Sequence, residues 1–217
     1  SKHSALSFRH FVLGTVAIFI YVGVEVGIPN FANLFMTSPE INIDPTIAGS
    51  VVGTYWFLMM IGRLCGASIG AKVSSRAMLT VVSTVGIALV LGAIFCADNI
   101  LVNMPVFKSD ISFGFAQVPV NVMLLILCGL CTSVMWGGIF NLAVEGLGKY
   151  TAAASGLFMV MVCGGGILPL IQGGVADFAG FLNSYWVIAL GLAYILFYAA
   201  IGSKNVNTDI PTDDYEA

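Results

Sequence analysis

The sequence predicts an all-α membrane protein of six transmembrane helices, and three observations carry that prediction. Of 217 residues, 59% are hydrophobic and only 9% charged, whereas a soluble domain carries about a quarter charged residues. The mean hydropathy of +0.98 leaves a surface that water cannot solvate, so lipid has to cover it. The apolar residues also fall into six continuous runs. Each is long enough to cross a hydrocarbon core of ~30 Å, which takes about 20 helical residues. Barrel strands would instead alternate over roughly ten residues.

The runs lie near 11–36, 46–71, 77–97, 118–146, 150–174 and 182–202. The first follows a short basic lead-in, residues 1–10, and is too long for the apolar core of a signal peptide. A polar turn with two prolines, from Ser38 and Pro39 to Asp44 and Pro45, separates it from the second. The basic loop 72–76 leads to the third run, and residues 98–117 form the longest connection. Residues 146–150 and 177–183 read as tight turns on either side of the fifth. There Gly164, Gly165 and Gly166 with Pro169 are expected to bend the helix. The domain reading is a lead-in over 1–10, a membrane domain over 11–203 and an acidic tail over 204–217, with 209–216 expected to be disordered. No initiating methionine is present, and a processed or excised piece is the expectation.

Basic residues set the orientation. Lys2, Arg9, Lys72, Arg76, Lys149 and Lys204 share one side, while Lys108 faces Glu40, Asp44, Asp98, Asp110 and Asp177 on the other. Both termini are therefore expected to be cytoplasmic. The eight basic residues are dispersed and the net charge is -3, so nothing points to nucleic acid. Five cysteines, an odd number inside apolar runs, argue against a disulfide framework. Cys128 and Cys131 form a C-x-x-C within such a run and read as small packing residues. His3 and His10 lie before or at the start of the first helix. No metal, nucleophile or phosphate-binding pattern is present, which disfavours an intramembrane enzyme.

Ionisable groups at membrane depth are costly, so each asks for a reason. Glu25 lies near the middle of the first helix, with Tyr21 one turn earlier and Gly23, Gly27 and Pro29 around it. Glycine and proline free backbone groups that persist only against protein or a wet cavity. A broken helix beside a carboxylate therefore reads as a substrate-hydroxyl acceptor or a proton site; the alternative is a protonated acid bonded within the bundle. Arg63 lies about two turns before the basic loop and is expected to snorkel toward the cytoplasm. Its expected role is structural or gating, capping a neighbouring helix or pairing with an acid at the cytoplasmic end. Gly62, Gly66 and Gly70 make a ridge that lets another helix approach closely. On the fourth run, Trp136 offers a flat apolar face and Asn141 both donors and an acceptor; packing roles are equally open to both. Glu145 is expected to pair with a basic group, and Trp56 to line the same cavity.

Several of these segments resemble the fucose:proton symporter (glucose/galactose transporter) family of the major facilitator superfamily. The resemblance rests on Tyr21-Val22-Gly23-Val24-Glu25, on Ile61-Gly62-Arg63 with its trailing glycines, and on Ile139-Phe140 followed by Gly146-Leu147-Gly148. Gly164-Gly165-Gly166 with Pro169, Gly173, Asp177 and Gly180 completes it, over about residues 9–203. It implies one six-helix half-bundle, a 3+3 inverted repeat, forming the C-terminal half of a proton-coupled sugar transporter. It further implies alternating access, a bacterial inner membrane, and an N-terminal six-helix half holding the main proton-carrying carboxylates. No cofactor beyond the coupling proton is implied. The fourth run departs from the family, reading Trp136-Gly137-Gly138-Ile139-Phe140-Asn141 where relatives often have aromatic-Pro-Thr-Ile-Phe-Ser, which leaves the sugar open. The expected substrate wall is Tyr21, Glu25, Asn30, Trp56, Trp136 and Asn141. A self-sufficient six-helix homodimeric carrier or channel, and a non-transporting sugar sensor, are the alternatives.

Overall fold

A computed structural model describes residues 3–163 and 165–212. Helix α1 runs Arg9–Met36, α2 Pro45–Ile69 and α3 Ser75–Phe95. A two-stranded antiparallel hairpin follows, β1 Leu101–Phe107 paired with β2 Phe113–Pro119. Then come α4 Val120–Thr132, α5 Met135–Ala143, α6 Thr151–Cys163, α7 Ile167–Ala179 and α8 Phe181–Phe197. The last helix closes with a wider π-type turn at Tyr198–Gly202. Taken as spans, α4–α5 and α6–α7 each count once, so the described residues hold six helices long and apolar enough to cross a membrane. The chain is an integral membrane protein.

The predicted spans and the observed helices agree closely, and the differences are local. The fourth span is interrupted at Ser133 and Val134. The fifth is interrupted between Cys163 and Ile167, where the glycines and Pro169 predicted a bend; Gly164 itself lies outside the described residues. The expected loop over 98–117 is largely the hairpin. The expected turn 177–183 shrinks to Gly180, whose φ of 94° is open to glycine and strained for other residues. Residues 209–212, expected to be disordered, instead lie along the bundle. Ile210 packs against the core and the Thr212 carbonyl accepts the Lys149 N–H at 3.0 Å.

Burial orders the bundle. About half of spans one, four and six is buried inside it, against 28%, 28% and 19% for spans two, three and five. Helix α1 is the central strut. It packs on α4 through α8, and four tyrosines donate hydroxyls to its backbone carbonyls. Tyr55 reaches Glu25, Tyr185 reaches Ile28, Tyr194 reaches Leu13 and Tyr198 reaches His10, at 3.1, 2.6, 2.8 and 3.0 Å. A tyrosine suits this work because its ring is apolar while its hydroxyl finds a partner. Asn121 does the same for α3, donating to the terminal carbonyls of Ala93 and Cys96 at 2.7 and 2.8 Å. Cys128 and Cys131 are buried free thiols, in keeping with packing.

Candidate functional site

The expected break in α1 is not there: the helix is continuous from Arg9 to Met36. Its glycines serve approach instead. A Cβ on Gly23 would overlap Leu168, and one on Gly27 would meet the Gln172 side chain, so both admit α7 against α1. Pro29 does remove one backbone donor, and the carbonyl it deprives, four residues earlier, is that of Glu25. The Tyr55 hydroxyl supplies the missing bond. The carbonyl is thereby satisfied within the protein, and the helix stays continuous through its proline.

Three helices meet at this level. The Tyr55 hydroxyl also lies 3.1 Å from Thr132 Oγ1. The Tyr21 hydroxyl donates to the Thr132 carbonyl at 2.9 Å, and Arg63 Nε donates to the Ser133 carbonyl at 3.3 Å. Thr132 and Ser133 stand where α4 gives way to α5, so side chains from α1 and α2 serve carbonyls at the interruption of the helical ladder. This is how an irregular backbone is tolerated at membrane depth.

Arg63 has a second partner. Its Nη2 lies 3.4 Å from Glu25 Oε1, with Arg63 half exposed and the Glu25 carboxylate mostly covered, at 54% and 19% side-chain exposure. Arg63 thus caps a neighbouring helix, as its position suggested. It does not pair with an acid at the cytoplasmic end, however, because Glu145 pairs with Arg76 at 3.9 Å. Its reach is taken up by the Glu25 carboxylate and the Ser133 carbonyl. Gly62 and Gly66 make that possible: a Cβ on either would overlap Ser133 or Val134, so α2 can come this close to the break.

Beside the pair opens a cleft of about 580 Å³ between spans two, three and four. Arg63 and Ser133 stand at one end, Ser75 and Asn141 at the other, with Trp136 and Gly137 between. Asn141 Nδ2 lies 3.4 Å from Ser75 Oγ, and its Oδ1 remains an acceptor. Trp136 stacks on Phe140 with centroids 5.5 Å apart and meets Phe158 edge-on at 5.6 Å, so its ring is held rigidly. Ser75 and Asn141 also line a smaller polar hollow with Arg76 and Glu145, which continues the cleft toward the ends of α3 and α5. The cleft combines a guanidinium, an amide, a hydroxyl and a fixed indole, a set suited to a polyhydroxylated ring with one apolar face.

The six residues expected to form the wall divide accordingly. Trp136 and Asn141 line the cleft, and Glu25 is bound to it through Arg63. Tyr21 is fully buried behind it with its hydroxyl committed. Trp56 shares a face of α2 with Arg63, two turns away, but lies outside the lining and packs edge-on to Tyr55 at 5.1 Å. Asn30 is exposed on α1, also outside the lining. Gly62, Gly66 and Gly165 are found in packing positions, a Cβ on Gly165 overlapping Val22, and Pro169 lies half-buried in the first turn of α7. Sequence reasoning missed Ser133 and Ser75, and the bond from Tyr55 to the Glu25 carbonyl. Only that bond had a sequence signal: a proline inside a membrane helix requires a donor four residues back.

No family model matches the chain. It is 32% identical over 203 residues to the glucose/galactose transporter of Brucella abortus, covering 93% of this chain and 44% of that protein. It is likewise 32% identical over 209 residues to a putative glucose/galactose transporter of Helicobacter pylori, covering 94% and 46%. To the L-fucose-proton symporter of Escherichia coli it is 23% identical over 197 residues, covering 90% and 40%. The solved structure of the E. coli fucose:proton symporter superposes with a TM-score of 0.77 at 23% identity, over 94% of this chain and 46% of that one. A major facilitator superfamily transporter crystallised in the outward conformation gives 0.75 at 23%, over 91% and 43%. The chain therefore spans about half the length of the curated relatives it matches, and its fold is that of one half of a major facilitator transporter.

Proposed function

We propose that the chain is the C-terminal half of a proton-coupled monosaccharide transporter, and that the cleft at Arg63, Trp136 and Asn141 is its wall of the sugar pathway. The observation that carries this is the cleft itself, about 580 Å³ lined from three spans, in which Arg63, Ser75, Ser133 and Asn141 stand among apolar residues. Similarity to glucose/galactose and fucose transporters supports a monosaccharide as the substrate class.

In this reading Asn141 and Ser75 bind sugar hydroxyls, and Trp136 covers the C–H face of the ring. Arg63 offers further donors, while its bond to Glu25 holds it in place. A proton reaching Glu25 removes that charge partner and frees the guanidinium for the substrate, which couples protonation to sugar binding. The facing wall is an N-terminal six-helix half, and the two halves rock to expose the cleft to either side in turn. The site then lies in a bacterial inner membrane with both termini cytoplasmic.

Purification from native membranes tests the architecture. A single polypeptide about twice this length that binds or exchanges labelled glucose, galactose or fucose is the expected result. A homodimer of 217-residue chains that transports by itself would overturn it.

A further inference from the structure

The β1–β2 hairpin does not stand clear of the bundle. Phe107 stacks on Phe57 of α2 with centroids 4.6 Å apart, and its N–H donates to Thr54 Oγ1 at 2.9 Å. Thr54 lies nine residues into α2, ~14 Å along its axis at about 1.5 Å per residue. Met104 and Val106 share a small apolar cavity with Met123, Ile126 and Leu127 of α4. The hairpin therefore lies folded back against the outer parts of two membrane spans.

Its free edge restricts what can surround it there. The outward N–H of Phe107 and the ladder bond from Lys108 N to the Ser112 carbonyl fix the strand parity. Opposite Phe107, Pro105 and Asn103, the residues Phe113, Phe115 and Gln117 turn their backbone groups away from β1. Among the described residues, no hydrogen bond from outside the hairpin reaches those groups. Hydrocarbon does not tolerate an open sheet edge, and Lys108 and Asp110 at the tip exclude it again. Yet the outward side bears large apolar groups among the polar Asn103 and Gln117: Phe115 and Ile111 are 68% and 82% exposed, and Phe113, which meets Phe57 and Phe107 edge-on, is 69% exposed. Ile111 also holds φ at 62°, a conformation rare for a β-branched residue. A face too apolar for water, with an edge too polar for lipid, fits protein.

We infer that the hairpin's Phe113–Phe115 face docks onto the facing six-helix half at the outer mouth of the transporter. The inference rests on the second half proposed above. It names that half as the occupant because the chain covers only 44–46% of its 32%-identical relatives, leaving a partner of similar size to be accommodated. Charged Lys108 and Asp110 then form the rim of an apolar contact, the usual anatomy of an interface.

The test is p-benzoylphenylalanine placed at Phe115, and separately at Ile111, in the protein expressed in its native membranes and then irradiated. The expected product is a cross-linked peptide joining the hairpin to sequence outside residues 1–217, and its loss when the label is moved to Leu190, exposed on α8. Lipid adducts alone, or an unreacted label at both positions in a full-length protein, would overturn the hairpin's role and leave the half-transporter reading standing. Cross-links to a second copy of residues 1–217 would overturn both.

Discussion

The Tyr55 hydroxyl lies 3.1 Å from the Glu25 carbonyl, the acceptor in α1 that Pro29 deprives of its backbone donor. Three features of the sequence that look unrelated, a mid-membrane proline, a tyrosine on the next helix and an acid four residues before the proline, are therefore one arrangement. It satisfies the α1 backbone at Pro29, where the helix continues unbroken, and leaves the Glu25 side chain to meet Arg63.

Removing that hydroxyl should be costly only while the proline remains. Tyr55→Phe leaves a buried carbonyl unpaired, a loss of about 1–3 kcal/mol, read as a lower midpoint of unfolding in detergent. In a Pro29→Ala background the backbone N–H of residue 29 can return, and the Tyr55→Phe effect should shrink markedly. Equal losses in both backgrounds would show that the hydroxyl is not replacing the proline's missing donor.

Glu25→Gln keeps a side chain that can accept from Arg63 but cannot titrate. Proton-driven accumulation should fall by roughly tenfold, about 1.4 kcal/mol, while sugar affinity loses its pH dependence and the folded yield stays unchanged. Unaltered uptake and affinity would take Glu25 out of the sugar pathway.

Close approach of α2 to the α4–α5 break needs the bare backbone at Gly62. A methyl group there would overlap Ser133, the residue whose carbonyl receives Arg63. Gly62→Ala should cost about 1–3 kcal/mol as overpacking and lower transport. Gly137→Ala faces open space and should be nearly silent in stability.

At the opposite end of the cleft's helices, Gly148 has φ of 52° and packs against Thr212, whose carbonyl accepts from Lys149. Gly148→Ala should strain the turn and displace residues 209–212. Faster proteolysis of the C-terminal segment, with α1–α8 intact, is the expected readout.

The spans were legible because continuous apolar runs and the positions of glycine, proline and lysine mark helix length directly; α1, α2 and α3 begin or end within about two residues of expectation. The bend near Gly165 was legible for the same reason. The break at Ser133 was not, since neither Ser133 nor Val134 carries a helix-breaking signature and the interruption is held by Tyr21 and Arg63 from other helices. The hairpin escaped because Pro105 weighs against a strand, and is tolerated only because its nitrogen faces outward from the ladder. For the site, Trp136 and Asn141 on one helix announce a polar face. The partner of Arg63 did not show: Glu25 lies 38 positions away on another helix, and only the packing of α2 against α1 brings the two together.

A water-filled sugar wall between spans two, three and four makes Gly137 reachable from solvent and shielded by substrate. Gly137→Cys places a thiol where a Cβ meets nothing within 4 Å, in a protein whose exposed Cys65 is replaced by alanine. A water-soluble thiol reagent should label it, and saturating glucose, galactose or fucose should slow that labelling several-fold. A thiol inaccessible to the reagent, or one labelled at the same rate with sugar bound, would contradict the account.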